Sequence, residues 1–159
     1  MDNIKQITSF SVDHDYIVPG FYVSRRDGNV NTYDLRTRRP NCDCYMDNLT
    51  MHSVEHMLAT FLRNSELSDH VIYFGPMGCQ TGFYLLMSDV SDEDAYALTK
   101  KVLEMTVNHE GTMFGAERKE CGNYKNLSLD AAKKECSAYL KSLNEREAER
   151  GLDFSYDKA

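Results

Sequence analysis

The sequence predicts an α+β fold: a mainly antiparallel sheet packed against three to four helices, in a single domain spanning 1–159. Three observations lead there. Short runs rich in β-branched and aromatic residues alternate with turn signals, which marks strands. Longer segments repeat apolar residues at helical spacing. The two kinds of segment interleave without strict βαβ alternation, which points away from a parallel sheet. At 159 residues, with 42% hydrophobic and 27% charged residues, the chain suffices for one core and is short for two.

The elements follow in order. Gly20 to Arg26 and Asn29 to Arg36 read as strands around Asp27-Gly28, a hairpin turn signal. Met51 to Arg63 reads as a helix. Its apolar positions Met51, Val54, Leu58, Phe61 and Leu62 share one face, and His52, His56, Ala59 and Arg63 climb another. Val71 to Gly75 and Gly82 to Asp89 are short apolar strands. The turn between them, Pro76-Met77-Gly78-Cys79-Gln80-Thr81, places Cys79 at a strand end. Ser91 with Asp94 forms a capping-box pattern opening a second helix that runs to about His109, before Gly111. A third helix starts near Ser128 and ends before Gly151. Its inward positions are Leu129, Ala132, Cys136, Tyr139, Leu140 and Leu143.

Composition narrows the function. A net charge of −7 argues against a nucleic-acid partner and against docking on anionic membranes. No segment approaches a membrane span in length, and the Met1 to Gln6 stretch has no apolar region typical of export, so a cytoplasmic protein is expected. Five cysteines is an odd number, which suits reduced thiols used for ligation or catalysis better than a disulfide framework.

The chemistry concentrates at His52-Ser53-Val54-Glu55-His56. Histidines at i and i+4 lie one helical turn apart on one face, so both imidazoles can reach one cation. Glu55 stands at the edge of that face, within reach of whatever the metal holds. Two histidines do not complete a tetrahedral site, and Cys121 is the best third ligand. It lies in a polar connection between helices, with Gly122 beside it. Cys79 reads either as a general acid/base or nucleophile, if nearby cations favour its thiolate, or as a small buried hydrophobe. Cys42 and Cys44 read as free thiols, Cys136 as packing. His70 and His109 are expected to be solvent-facing or hydrogen-bonded, and Asp13 could orient His14. Among Arg36, Arg38 and Arg39, one could grip a substrate carboxylate or hold a thiolate anionic; otherwise they form a solvated cluster.

Together these residues make the chain resemble the S-ribosylhomocysteine lyase family, from about Ser9 to about Leu143. The carrying motifs are Ser9-Phe10-Ser11-Val12-Asp13-His14, Tyr33-Asp34-Leu35-Arg36, His52-Ser53-Val54-Glu55-His56, Gly75-Pro76-Met77-Gly78-Cys79-Gln80-Thr81-Gly82 and Glu120-Cys121-Gly122. The resemblance implies that His52, His56 and Cys121 bind one divalent metal per subunit, Fe2+ natively, with Zn2+ or Co2+ able to substitute. It implies acid/base work by Glu55 and Cys79, a substrate pocket lined by Ser9, His14, Arg36 and Arg63, and a homodimer with each site at the interface. The implied reaction makes the autoinducer-2 precursor of quorum sensing within the methyl cycle. S-ribosylhomocysteine gives homocysteine and 4,5-dihydroxy-2,3-pentanedione by two carbonyl migrations and a β-elimination. Tyr73 and Gly75 depart from the version of the family pattern in which an acidic residue can stand at the first position and serine is common at the second, before the proline. The same H-x-x-E-H string also occurs in inverted-motif zinc peptidases, which is the alternative enzyme reading. A closed, purely structural metal module is the non-enzyme alternative.

Overall fold

Alternating burial along the strands decides which face of the sheet meets the helices. The computed structural model describes residues 3–157; Met1 and Asp2 of the N-terminal stretch lie outside them. The strands are β1 (Gly20–Asp27), β2 (Val30–Arg36), β3 (Val71–Pro76) and β4 (Gly82–Ser88). They form one antiparallel sheet in the order β1-β2-β4-β3. Gly28, at φ +60°, makes the β1–β2 turn that the Asp27-Gly28 pair predicts. Phe21, Tyr33, Leu35, Phe83, Leu85 and Met87 point to one side and join the core. The register sets Tyr22, Asp34, Tyr84 and Gly75 in a row across the other face.

The helices are α1 (Thr8–Ser11), α2 (Asn48–Arg63), α3 (Asp92–Val107) and α4 (Leu129–Arg150). The last three pack on the inner face and against one another. Each long helix opens on a side-chain cap: Asp47 accepts from the Thr50 amide, Ser91 from Asp94 and Ser128 from Ala131. The Asp47 cap starts α2 three residues earlier than the apolar pattern predicts, because Asn48, Leu49 and Thr50 carry no helical stripe of their own. Met51, Val54, Leu58 and Leu62 are buried as expected, each burial contributing roughly 1.5–3 kcal/mol. Phe61 is only half-buried, since it turns to the loop after α3 and meets Phe114 and His109 edge-on. In α4, Ala132, Cys136, Tyr139 and Leu143 are buried, while Leu129 and Leu140 sit at the margin.

Beyond α4, residues 151–157 cross back to the sheet. The Phe154 carbonyl accepts from the Val23 amide at 2.9 Å, and its ring packs on Phe21 and Tyr96. Tyr156 then stacks on Tyr22, on the outer face.

Candidate metal centre

One helical turn separates His52 from His56, and α2 holds both rings half-buried with centroids 4.6 Å apart. The third donor arrives from the long connection between α3 and α4. The ligand atoms of His52, His56 and Cys121 all lie within 4.8 Å of one another, and Cys121 Sγ is 3.3 Å from His52 Nε2.

The connection also sets the chemistry of the two rings. Nδ1 of His52 donates to the Asn126 carbonyl at 2.7 Å, and Nδ1 of His56 donates to the Phe114 carbonyl at 2.9 Å. With both Nδ1 protons engaged, each Nε2 presents its lone pair, the tautomer a metal needs. Cys121 Sγ accepts from the Asn123 amide at 3.4 Å. Two bonds clamp the connection to α2: Asn126 donates to the Asn48 side chain, and the Ser128 amide donates to the buried Ser53 hydroxyl. Gly115, at φ +65°, lets the loop pass His56, since a Cβ there would lie 2.7 Å from Nδ1. Two imidazoles and one cysteine sulfur form a donor set suited to a metal held by three protein ligands.

A second cluster occupies the outer face of the sheet. Arg36 is 3% exposed and Asp34 1% exposed, and they pair through two bonds, Nε to Oδ1 at 3.0 Å and Nη2 to Oδ2 at 2.6 Å. Burial works against the Arg36 charge, but the bonds and charge of Asp34 outweigh it and hold the guanidinium above its ordinary pKa. Its remaining arm, Nη1, donates to Thr81 Oγ1 at 2.8 Å and lies 4.0 Å from Cys79 Sγ. Thr81 Oγ1 is in turn 2.9 Å from that sulfur. Gly82 permits this approach, as a Cβ there would come within 2.6 Å of the Leu35 carbonyl. Cys79 is exposed at the tip of the β3–β4 turn, so the reading of it as a buried hydrophobe fails. Gln80, at φ +65°, closes that turn and pins it to Met46 by two bonds.

Ser9, in α1, borders an outer-face cleft with Ser24, Thr32, Tyr73 and Tyr84. His14 is held by the Val12 carbonyl rather than by Asp13, whose carboxylate instead accepts from the Asp15 amide. Arg63 donates to the Val71 and Ile72 carbonyls at the start of β3. Glu55 is half-buried, and its side chain has no hydrogen bond or ion pair among the described residues. No hydrogen bond or ion pair there joins these four to one another, to the metal trio or to the Arg36 cluster. Arg38 forms no solvated cluster either, since it pairs with the buried Glu135 at 2.6 Å. His70 and His109 bond to carbonyls, and Cys42 and Cys44 remain free thiols.

Sequence reasoning missed Asp34 and Thr81 as partners of Arg36, although both stand in the motifs quoted above. It also missed Gly115, Phe114 and Asn126, whose contributions are a missing side chain and two carbonyls. The Tyr73 ring lies over Gly75, and a Cβ at 75 would meet Tyr73 Cζ at 2.6 Å.

An α+β domain that presents two helical histidines and a loop cysteine to a single point has the makings of a metalloenzyme. The sequence model of the S-Ribosylhomocysteinase (LuxS) family matches residues 7–150. The chain is 45% identical over 147 residues to the S-ribosylhomocysteine lyase of Borreliella burgdorferi strain ZS7, covering 89% of this chain and 94% of that one. The namesake enzyme of Finegoldia magna is 45% identical over 146 residues, covering 89% and 93%. That of Desulfotalea psychrophila is 40% identical over 157 residues, covering 95% and 99%. The chain belongs to the S-ribosylhomocysteinase family. Among the described residues, no helix is long and apolar enough to cross a membrane.

Proposed function

We propose that this chain is one metal-dependent catalytic domain that cleaves S-ribosylhomocysteine to homocysteine and 4,5-dihydroxy-2,3-pentanedione. The observation that carries the reading is the convergence of His52, His56 and Cys121, with both Nδ1 atoms tied to carbonyls. That donor set suits a borderline divalent cation; the family resemblance implies Fe2+, with Zn2+ or Co2+ able to substitute. When bound, such a cation supplies Lewis-acid stabilisation to an oxyanion developing on the sugar.

The thioether sulfur sits on C5 of the ribose, and the carbonyl begins at C1. The carbonyl must move to C2 and then to C3 before the C4 proton is acidic enough to leave. Loss of that proton then expels homocysteine thiolate from C5. Each migration takes a proton from the carbon beside a carbonyl and returns one to its neighbour. Cys79 as thiolate and Glu55 as carboxylate are the bases assigned to these transfers. Arg36 supports Cys79 in this role: Nη1 donates to Thr81, whose own hydroxyl proton is then free to donate to the sulfur. Ser9, His14, Arg36 and Arg63 are assigned to substrate binding.

The family resemblance supports a homodimer with sites completed across the interface. The exposed side chains of Ile4, Ile7, Phe10, Ile72 and Tyr73 offer apolar surface for it. The peptidase and closed-module alternatives give way to the family membership.

The test incubates metallated protein with S-ribosylhomocysteine and titrates the released thiol, with and without chelator. Homocysteine release that the chelator abolishes is expected, and Cys79→Ala should slow it by about 10²–10⁴. No release from folded, metallated protein would overturn the reading.

A further inference from the structure

The Asp34–Arg36 pair has a third member, supplied by a segment outside the residues that the family model matches. Tyr156 Oη donates to Asp34 Oδ2 at 2.7 Å, on the same oxygen that accepts from Arg36 Nη2. A continuous run of short contacts therefore leads from Tyr156 through Asp34, Arg36 and Thr81 to Cys79 Sγ. The tyrosine is placed with care. Its ring stacks on Tyr22 at 4.7 Å, Arg146 lies over the Tyr22 ring at 5.0 Å, and Asp157 is tethered by Arg146 and Arg150.

We infer that Tyr156 is a positioning residue for Cys79, acting through Asp34 and Arg36. The hydroxyl shares the negative charge of Asp34, so less of the Arg36 positive charge is consumed by its partner and more reaches Thr81 and the sulfur. Burial and the Asp34 charge raise the Tyr156 pKa far above neutrality, so it remains a donor throughout the working range. Tyr22 and Tyr84, the two register partners of Asp34, also face this row; burial raises the pKa of each and keeps both neutral. Without the tyrosine hydroxyl, Asp34 keeps its two bonds to Arg36 but draws the guanidinium more strongly, and Nη1 loosens from Thr81.

This inference rests on the reading of Cys79 as an acid/base group, and its test does not require turnover. Iodoacetamide alkylation of the metallated protein is followed at neutral pH by mass spectrometry of the Cys79 peptide. Tyr156→Phe keeps the stack on Tyr22 and removes only the hydroxyl. It should slow alkylation by roughly two- to fivefold, the low end of coupling passed through intervening side chains. The melting temperature should stay near the parent value, and with S-ribosylhomocysteine kcat should fall while KM holds. Arg36→Lys should slow alkylation further. A Tyr156→Phe variant that alkylates at the parent rate overturns the inference, and so does a loss seen only in Tyr156→Ala, which would make the residue a structural anchor. If Arg36→Lys also alkylates at the parent rate, the link between Arg36 and Cys79 fails with it. A parent protein that releases no homocysteine would overturn the lyase reading alone, leaving the alkylation comparison to decide the role of Tyr156.

Discussion

Replacing Gly115 with alanine is expected to weaken metal binding by about ten- to a hundredfold, with the fold retained. The new Cβ would stand 2.7 Å from Nδ1 of His56 and 3.0 Å from its Cε1. Ordinary contact requires the ring and loop to separate by about 0.7 Å. Protein–metal distances tolerate only about 0.2 Å, so a displaced ring cannot keep its bond to a shared ion. The loop cannot retreat freely, because the neighbouring Phe114 carbonyl holds that same ring at 2.9 Å. Either the hydrogen bond that selects the tautomer breaks, or Nε2 leaves the ion. The corresponding loss is about 1.4–2.7 kcal/mol of binding free energy. Left-handed backbone at a non-glycine residue adds about 1 kcal/mol of destabilisation. Competition for Zn2+ against a chromogenic chelator measures the first effect, and thermal unfolding of the metal-free protein measures the second. An unchanged zinc affinity in the folded variant would refute the claim that this glycine shapes the His56 ligand.

Three further outcomes are expected. Cys121→Ser and His56→Ala should each strip the co-purified metal, measured by elemental analysis; parent stoichiometry in either would remove that residue from the ligand set. Arg38→Ala leaves Glu135 buried and unpaired, which should cost about 3 kcal/mol in urea unfolding; a change under about 0.5 kcal/mol would show the pair to be dispensable. Asp92 has its folded pKa lowered by its bonds to Arg26, with a further contribution from Tyr33. Its stabilisation is therefore complete above the unfolded value, about 3.9, and disappears as pH falls through the folded one. Asp92→Asn should flatten stability across that acid window, and an unaltered acid limb in denaturant titrations would contradict it.

Much of the architecture was legible in local patterns, because strand alternation, hairpin glycine and capping serines act over a few residues. The β1–β2 turn and the α3 cap fall where Asp27-Gly28 and Ser91 put them. The start of α2 was less legible, since Asp47 caps a first turn that carries no apolar stripe. His52 and His56 were legible as a pair because one helical turn joins them. Cys121 was legible as a thiol of the right kind, but its distance from the histidines depends on how a long connection folds back over α2.

By itself, the sequence determined the fold class, the helical histidine pair and the family. Only the tertiary structure decided which atoms face one another: the Phe114 and Asn126 carbonyls that orient the two imidazoles, and the row of contacts from Tyr156 to Cys79. Those contacts join residues far apart in the chain, and they exist only once the core has set the distances between elements. A carbonyl oxygen, or a side chain absent at Gly115, leaves no periodic trace in a sequence. Its role appears only when a ring comes to rest against it.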